Sequence, residues 1–408
     1  MNNLIIKKKN IVDPILELYR GKIYCNIINY FIFITLKYFD KHIFNIKKSF
    51  QRTLTNILSS WLFTLYSINT DIDSDIFIPS NYNETAILEL TLNDFTKYDN
   101  TIENPQQKIK ELLHKFTEYY KTQYQSLLNY KKSSFYLNEK SNYKIQTKYI
   151  QYERKNEKVG FYKYNLSVNF GISNEKLKNI INNILIPIDV YNKMVANYTG
   201  PKELLDVFIW AIIFRYQLLG SNNHQLGILP TIIKQMIVDY NVEFECFASS
   251  INNTLSKYCS VYYDLEQYFG SCGNFFNNTI TEGCYTFNPP YQKKIIDDGI
   301  YKILDNLKTA KEQLKNLTFF LTIPVWDKEG QKELGSENKI DYGEFEIIQI
   351  IKESEFLKKI RIITKENFTY IDHNFQLYKN KTIQNTYFIV LSTINQDFNK
   401  IDTYNFYE

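Results

Sequence analysis

The chain has few of the residues that build metal centres and disulfide frameworks. Its 408 residues include five cysteines and four histidines. The cysteines, at positions 25, 246, 259, 272 and 284, contain no Cys-x-x-Cys pair, and the histidines are scattered. Zinc sites need clustered ligands, and disulfide frameworks need an even, regularly spaced cysteine set. We therefore expect no metal and a reducing location inside the cell, either nucleus or cytoplasm, or a viral factory if the source is a virus.

A long apolar run is also missing. The most hydrophobic stretch, residues 23–36, contains Asn26 and Asn29 and ends before Lys37. A helix that spans a bilayer needs about 20 predominantly apolar residues. The residues from Met1 to Lys9 lack the small-residue cleavage site of a secretory signal. These absences predict a buried helix at residues 23–36, and we expect no membrane partner.

Charge of one sign is not in strong excess, because the net charge is only +4. Any nucleic-acid surface must therefore come from local clusters of cations. In residues 130–164 lysines and tyrosines interleave with an alternation that predicts strands or a hairpin. Cations beside aromatic rings are typical of a single-stranded RNA path. A solvated basic ribbon with half-buried tyrosines explains the same pattern equally well.

One short motif carries a specific chemical prediction. Residues 286–291 read Thr-Phe-Asn-Pro-Pro-Tyr and precede a helical pattern that begins at Lys293. An exocyclic amine is a poor nucleophile until its N–H groups are held by acceptors that draw the lone pair out of conjugation. The side chain of Asn288 and a backbone carbonyl of Pro289 or Pro290 supply such acceptors. Tyr291 offers a flat face for a base, although Asn-Pro-Pro by itself is also an ordinary turn.

The residues around this motif predict an α/β core. An apolar strand at residues 244–249 precedes it, a helical pattern follows over residues 293–312, and a buried strand follows at residues 317–323. This order is typical of a Rossmann-like methyltransferase that binds S-adenosylmethionine. Two loops and the motif's Asn288 are predicted to shape the cofactor cleft, and the loop residues are Phe247, Ala248, Ser249, Phe269, Gly270 and Ser271.

Taken together, these blocks resemble one family, the cap-specific adenosine N6-methyltransferases known as phosphorylated CTD interacting factor. The resemblance covers roughly the C-terminal half and also includes residues 208–220, 226–230 and 323–326. It implies that Asn288, Pro289, Pro290 and Tyr291 form the catalytic motif and that Trp326 contacts the cap. It further implies a substrate loop over residues 368–372, with Phe368 and Asp372 as its candidate contacts.

Two departures from the family limit what the resemblance implies. Family members carry an acid two positions after the motif's aromatic residue, whereas this chain has Lys293, so Asp327 beside Trp326 is the expected substitute. The three tryptophans are isolated from one another, so the chain lacks a stretch like the family's tryptophan-rich module. We therefore do not expect binding to the polymerase tail.

These observations define the expected architecture and function. We expect a mainly helical RNA-binding domain at residues 1–199 and a Rossmann-like class I methyltransferase domain at residues 200–408, divided near Gly200-Pro201. The resemblance implies methylation of the N6 amine of the first transcribed adenosine beside the 7-methylguanosine cap, with capped mRNA as partner. Two alternatives stay open: an N6-methyltransferase for internal adenines of RNA or DNA, and a non-catalytic subunit that binds capped RNA.

Overall fold

A computed structural model describes twelve segments of the chain: residues 12–39, 48–68, 74–97, 103–140, 142–154, 157–171, 174–220, 225–327, 329–330, 346–372, 379–381 and 385–407. The described residues divide into two compact units. The N-terminal unit comprises residues 12–195 and 200–220, and the C-terminal unit comprises residues 196–199 and 225–407. Residues 200–220 thus belong to the N-terminal unit. The boundary between the units falls about twenty residues after the predicted boundary near Gly200-Pro201.

The N-terminal unit is mainly helical, as predicted. Its first helix begins where the carboxylate of Asp13 accepts the N–H of Ile15 at 2.9 Å and Pro14 occupies the first turn. The predicted buried segment at residues 23–36 lies inside this helix. The helices are α1 (Pro14–Tyr38), α2 (Lys48–Ile68), α3 (Ala86–Lys97), α4 (Pro105–Lys132), α5 (Ser134–Glu139), α6 (Glu175–Asn182), α7 (Ile188–Asn197) and α8 (Leu205–Leu219).

Helix α4 starts without a side-chain cap. It begins at Pro105 and buries an apolar stripe that includes Ile109, Phe116 and Leu127. The residue before it is Asn104, a residue type that commonly caps helices. It has a left-handed backbone (φ 47°) and makes no side-chain cap hydrogen bond. The fixed φ of Pro105 is therefore the local signal that starts this helix.

A long hairpin interrupts the helices. Strand β1 (Tyr143–Arg154) pairs antiparallel with β2 (Glu157–Val168), and β3 (Leu185–Pro187) adds to the edge of β2. The predicted hairpin is confirmed for this part of residues 130–164. The residues before it instead end α4 and form α5.

Charged side chains are buried between helices of this unit. Arg215 in α8 donates from Nε and Nη2 to the carboxylate of Glu17 in α1, at 2.8 and 2.7 Å. Arg20 bonds both Glu17 and Asp75, and Lys131 donates to Asp75 at 2.6 Å. These cations lower the pKa of the Glu17 and Asp75 carboxyls against the opposing effect of burial.

The C-terminal unit is built on a five-stranded sheet with helices on both faces. Its helices are α9 (Pro230–Tyr240), α10 (Tyr263–Glu266), α11 (Lys293–Glu312) and α12 (Ile347–Glu353). The sheet runs in the order β5 (Phe244–Glu245), β6 (Gly283–Phe287), β7 (Leu317–Pro324), β11 (Thr386–Ser392) and β8 (Leu357–Ile363). A second, small sheet joins β10 (Lys379–Lys381), β9 (Tyr370–Asp372) and β4 (Leu226–Ile228).

The strand order is that of a Rossmann-like methyltransferase core. Strands β5, β6 and β7 are parallel, and Tyr258 extends the sheet beyond β5 through parallel bridges to Glu245 and Ser271. The strands can be numbered by their order in the chain, with the segments at Tyr258 and Ser271 included. Across the sheet they are then Ser271 (third), Tyr258 (second), β5 (first), β6 (fourth), β7 (fifth), β11 (seventh) and β8 (sixth). This is the doubly wound order with one extra strand, β11, inserted antiparallel between β7 and β8.

Alternating residues of the central strand, β7, pack into two different apolar cores. Phe319, Leu321 and Ile323 face one core, which α11 and α12 cover. Phe320 faces the other core, which α9 and residues 398–406 cover. Within the described residues, no helix meets the length and hydropathy that a bilayer span requires.

Candidate active site

The predicted catalytic motif lies where two neighbouring parallel strands end. Glu245 of β5 is opposite Thr286 of β6, so the residues after both strands leave the sheet at the same edge. From β5 the chain continues to the segment at Tyr258, which is the neighbour of β5 on one side. It later returns to β6, which is the neighbour of β5 on the other side. In open α/β sheets such a switch point at the carboxyl ends of the strands is where ligands bind.

The carboxamide of Asn288 has a fixed orientation. Its Nδ2 donates to the backbone carbonyl of Leu226, at the start of β4, over 3.2 Å. The atom left to accept a hydrogen bond is therefore Oδ1, and no partner for it occurs among the described residues. The side chain is half-buried, so Oδ1 combines a set direction with access to a ligand.

The two prolines contribute unequally. The carbonyl of Pro290 accepts the N–H of Gln292 at 2.7 Å, so this acceptor is already used inside the turn. No N–H of the described backbone bonds to the carbonyl of Pro289. Pro289 is therefore the better candidate for a second amine acceptor beside Asn288 Oδ1.

The phenol of Tyr291 is held by the small sheet. Its hydroxyl hydrogen-bonds the hydroxyl of Tyr370 in β9, which in turn bonds Oγ1 of Thr386 at 3.1 Å. Burial, followed by the effect of Tyr370, raises the pKa of Tyr291 well above its usual value, so the phenol is neutral at physiological pH. The β4 and β9 strands thus fix both ends of the motif, one through Leu226 and the other through Tyr370.

Trp326 extends this aromatic surface. It follows β7, the neighbour of β6, and its ring lies 6.2 Å from that of Tyr291 with an interplanar angle of 76°. Both side chains are half-buried. Two nearly perpendicular rings at the ends of adjacent strands can offer faces to two different planar groups.

A glycine lets the helix after the motif approach it closely. A Cβ atom added at Gly299 in α11 would lie 2.5 Å from the ring of Phe287, the last residue of β6. Any larger residue would therefore push α11 away from the strand end that carries Asn288.

The loop after β5 is built around two buried carboxylates. Glu245 accepts the N–H groups of Thr254 and Leu255, each at 2.8 Å. Glu266 accepts the N–H of Ser250 at 2.7 Å and its hydroxyl at 3.1 Å. Because each carboxylate bonds backbone N–H groups of the loop, the loop conformation depends on both acids.

The predicted cofactor residues divide into two groups. Phe247 and Ala248 are half-buried on the loop after β5, where the ring of Phe247 packs on those of Phe275 and Phe287. Ser249 is 1% exposed, and its hydroxyl donates to Gln225. Ser249 therefore supports the loop from inside.

The second predicted cofactor loop, residues 269–271, is more buried than the sequence predicted. Phe269 is fully buried, and the Ser271 hydroxyl is hydrogen-bonded to that of Ser260 at 2.7 Å. Gly270 has φ +98°, and a Cβ there would lie 2.2 Å from the carbonyl of Ser256. The backbone at Gly270 approaches the protein's own chain, and direct cofactor contact by these three residues stays a prediction.

One candidate escaped the sequence analysis. Asp264 is the second residue of α10, a few positions after the strand segment at Tyr258, and is half-buried. In dinucleotide-binding folds an acid about 20 residues after the glycine turn bonds the ribose hydroxyls. Its spacing from β5 was the available signal, but the segment at Tyr258 is too short to be recognised as a strand from its sequence.

Comparison with known proteins identifies the part of the chain that carries this site. Residues 189–373 match the family model described as phosphorylated CTD interacting factor 1 WW domain. Over these residues, a little under half of its length, the chain is similar to the phosphorylated CTD interacting factor family. The matched segment contains the Asn-Pro-Pro-Tyr motif and two tryptophans, Trp210 inside α8 and Trp326 after β7.

Two relatives carry a name that states a reaction. The mRNA (2'-O-methyladenosine-N(6)-)-methyltransferase of Mus musculus is 31% identical over 124 residues, which are 29% of this chain and 17% of that protein. The protein of the same name from Homo sapiens is 30% identical over the same length and the same shares. The match thus spans less than a fifth of either relative.

The structure assigns internal partners to two residues near the family's expected cap contacts. Asp327 accepts the hydroxyl of Tyr387 at 2.9 Å and the N–H of Gly330 at 2.9 Å, and it is 9% exposed. Lys293, in the position of the family's acid, pairs with Asp297 one turn along α11 at 2.6 Å. Asp327 therefore has a structural role, and its contact with substrate stays a prediction.

The second substrate loop needs a correction. Phe368 is 0% exposed and packs on Phe406 in the core beneath β11, with ring centroids 5.2 Å apart. The resemblance implied that Phe368 contacts substrate. Its ring is not available to a substrate, because it is buried in this apolar core. Asp372 ends β9, and its side chain lies outside the described residues.

Proposed function

We propose that this chain transfers a methyl group from S-adenosylmethionine to the N6 amine of the adenosine next to the cap of mRNA. The observation that carries the proposal is the geometry of Asn288. Its Oδ1 is aimed by the bond from Nδ2 to Leu226 at the switch point of a methyltransferase fold. The names of the two relatives state N6 methylation of 2'-O-methyladenosine in mRNA, and the cap-adjacent position follows from the family resemblance.

The motif's role in the reaction is to orient and polarise the amine. Oδ1 of Asn288 and the carbonyl of Pro289 accept the two N–H groups, which directs the nitrogen lone pair out of the ring plane. Because both acceptors are fixed before the substrate arrives, little reorganisation is needed during transfer. The amine held by these two acceptors would take the methyl group from the sulfonium of the cofactor as the carbon–sulfur bond breaks, and would release one of its protons to water.

The residues on the other side of the cleft fit the cofactor. The half-buried ring of Phe247 offers apolar surface for an adenine, and Asp264 occupies the position of a ribose-binding acid. S-adenosylmethionine, when bound, supplies an electrophilic methyl on a sulfonium centre. The loop held by Glu245 and Glu266 sets the shape against which that ligand packs.

The paired rings fit a capped end. We assign Tyr291 to the adenine and Trp326 to the methylguanine, since their nearly perpendicular planes separate two stacked groups. A terminal nucleotide is unpaired, so no duplex has to be opened before adenine enters the site.

The test is methyl transfer from labelled S-adenosylmethionine to matched RNAs that begin with adenosine, with and without the 7-methylguanosine cap. Label confined to the first adenosine of capped RNA supports the proposal. Equal label on uncapped or internal adenosines would favour an internal-adenine enzyme. Binding of capped RNA without any transfer would favour the non-catalytic subunit.

A further inference from the structure

Over residues 143–149 and 162–168, the hairpin of the N-terminal unit places its lysines and its tyrosines on opposite faces. In the β1–β2 register Lys144 is opposite Ser167, Gln146 opposite Asn165, and Lys148 opposite Lys163. Residues directly opposite each other point to the same face of a sheet, and each successive opposed pair points to the other face. These six residues, hereafter the lysine face, therefore point to the same side of the hairpin.

The opposite face carries mainly apolar and aromatic side chains, most of them buried or half-buried. It carries Ile145 and Leu166, followed by Tyr164, whose hydroxyl donates to Asp206 at 3.0 Å. Tyr162 packs on Tyr191, with ring centroids 4.5 Å apart. The interleaved sequence had predicted one path that uses lysines and tyrosines together, but the two-residue period of the strands places them on different faces.

The lysine face is open to solvent and lacks acids. Five of its six side chains are exposed, and Lys163 is half-buried. None of the six is acidic, and no ion pair to Lys144, Lys148 or Lys163 occurs among the residues that the structure describes. The face therefore presents three cations without internal compensation.

The pairing of Lys148 with Lys163 is unfavourable by itself. Side chains directly opposed on an antiparallel pair have Cβ atoms about 4.5–5.5 Å apart, and like charges there destabilise the hairpin. A partner with closely spaced negative charges would turn this repulsion into attraction. Amide groups of Gln146 and Asn165 lie in the next row and can donate to the same partner.

We propose that the lysine face binds the phosphodiester backbone of RNA and takes no part in base recognition. RNA as the polyanion rests on the proposed function, whereas the face itself rests on register, exposure and charge. Because the tyrosines of residues 143–149 and 162–168 lie on the other face, binding to these lysines is independent of base sequence and depends on salt.

The experiment measures the dissociation constant of a fluorescent capped RNA as a function of salt concentration, without S-adenosylmethionine. The test variant is Lys148→Thr with Lys163→Thr, which keeps residues suited to strands. The control, Lys110→Gln with Lys121→Gln, removes the same charge from exposed positions of α4. Asn288→Ala is measured in parallel, since it slows transfer under the proposed function but leaves this face intact.

We expect the test variant to bind RNA several-fold more weakly at low salt. Its salt slope should be shallower by about 1.4, because each of the two lysines neutralises one phosphate of a single strand. Its thermal midpoint should equal or exceed that of the parent, because a like-charge pair has been removed. The control and Asn288→Ala should keep the parent's slope. Failure of methyl transfer with this slope change intact would leave the inference standing.

Three results would overturn it: a slope equal to the control's, weakening confined to particular base sequences, or a lower thermal midpoint with unchanged RNA affinity. An acidic peptide or anionic vesicles that lose affinity for the test variant while RNA does not would assign the face to a different partner, and would also overturn it.

Discussion

Both units bury carboxylates, but they satisfy them differently. In the N-terminal unit Glu17 and Asp75 are paired with guanidinium and ammonium groups from other helices. In the C-terminal unit Glu245 and Glu266 accept backbone N–H groups from the loop after β5. The first arrangement joins helices that are distant in sequence, and the second shapes a loop from residues within about twenty positions.

The difference separates stability from function. A buried ion pair fixes how elements pack, and breaking it leaves a charge without a partner. A carboxylate that accepts loop N–H groups sets a local backbone conformation, which is the conformation that the proposed cofactor meets. Substitutions in the first set should therefore change unfolding, and those in the second should change ligand binding and transfer.

The largest effect is expected for Glu17→Gln. The change replaces the carboxylate that pairs with Arg215, which is fully buried, by a neutral amide. We expect the N-terminal unit to lose about 3–5 kcal/mol of unfolding free energy. Urea unfolding followed by circular dichroism measures the loss.

The control is Glu175→Gln, which removes an exposed partner of Lys178 and should change stability little. The pH dependence provides a second check. The folded-state pKa of Glu17 lies below its ordinary value of 4.5, so its contribution is present above that pH and is lost as pH falls through the folded pKa. Glu17→Gln should flatten this acid limb, and an unchanged limb would contradict the assignment.

Asn288→Ala is expected to have the next largest effect. Removing the oriented Oδ1 acceptor should lower the rate of methyl transfer by about 10²-fold or more while the unfolding free energy changes little. Single-turnover transfer with labelled S-adenosylmethionine measures the rate. A variant with the parent's rate would remove Asn288 from the chemistry.

Glu266→Gln tests the loop-shaping carboxylate. The amide keeps one acceptor but brings an NH2 group toward the N–H and hydroxyl of Ser250, at a cost of about 1–3 kcal/mol. We expect weaker binding of S-adenosylmethionine by calorimetry. The exposed Glu282→Gln is the matched control, and equal affinity in both variants would show that this carboxylate does not shape the cleft.

The smallest effect is expected for Tyr370→Phe. It removes the hydroxyl that holds Tyr291 and costs about 1 kcal/mol, or about fivefold in KM for capped RNA, with a smaller change in kcat. Tyr404→Phe, which loses a bond to Asp239 elsewhere in the unit, is the control. A change in kcat alone would mean that the phenol acts in the chemical step.

Strong local signals made much of the fold predictable. The predicted helix at residues 293–312 is confirmed in full, and the strand predicted at residues 317–323 is one residue longer. Both have an uninterrupted pattern, amphipathic in the helix and wholly apolar in the strand. The Asn-Pro-Pro-Tyr motif was located for a similar reason, because its residue types fit one chemistry.

Signals that depend on distant partners were misread or missed. Phe368 was placed on a substrate loop, yet the core beneath β11 buries it. The α8 segment was assigned to the methyltransferase domain, yet Arg215 and its apolar neighbours lie in the N-terminal unit. Local periodicity predicts neither result. A segment that is buried on every side has the same apolar pattern whichever unit surrounds it.

The sequence by itself determined the core elements, the identity of the motif and the lysine content of the hairpin. Only the tertiary structure decided which oxygen of the motif is free, since that follows from Leu226, 62 positions away from Asn288. It also decided that Tyr291 is held by Tyr370, and that Lys144, Lys148 and Lys163 of the hairpin lie on the face opposite to Tyr162 and Tyr164. The physical reason is that hydrogen-bond partners and strand register join residues far apart in the chain, whereas composition and periodicity report only on neighbours.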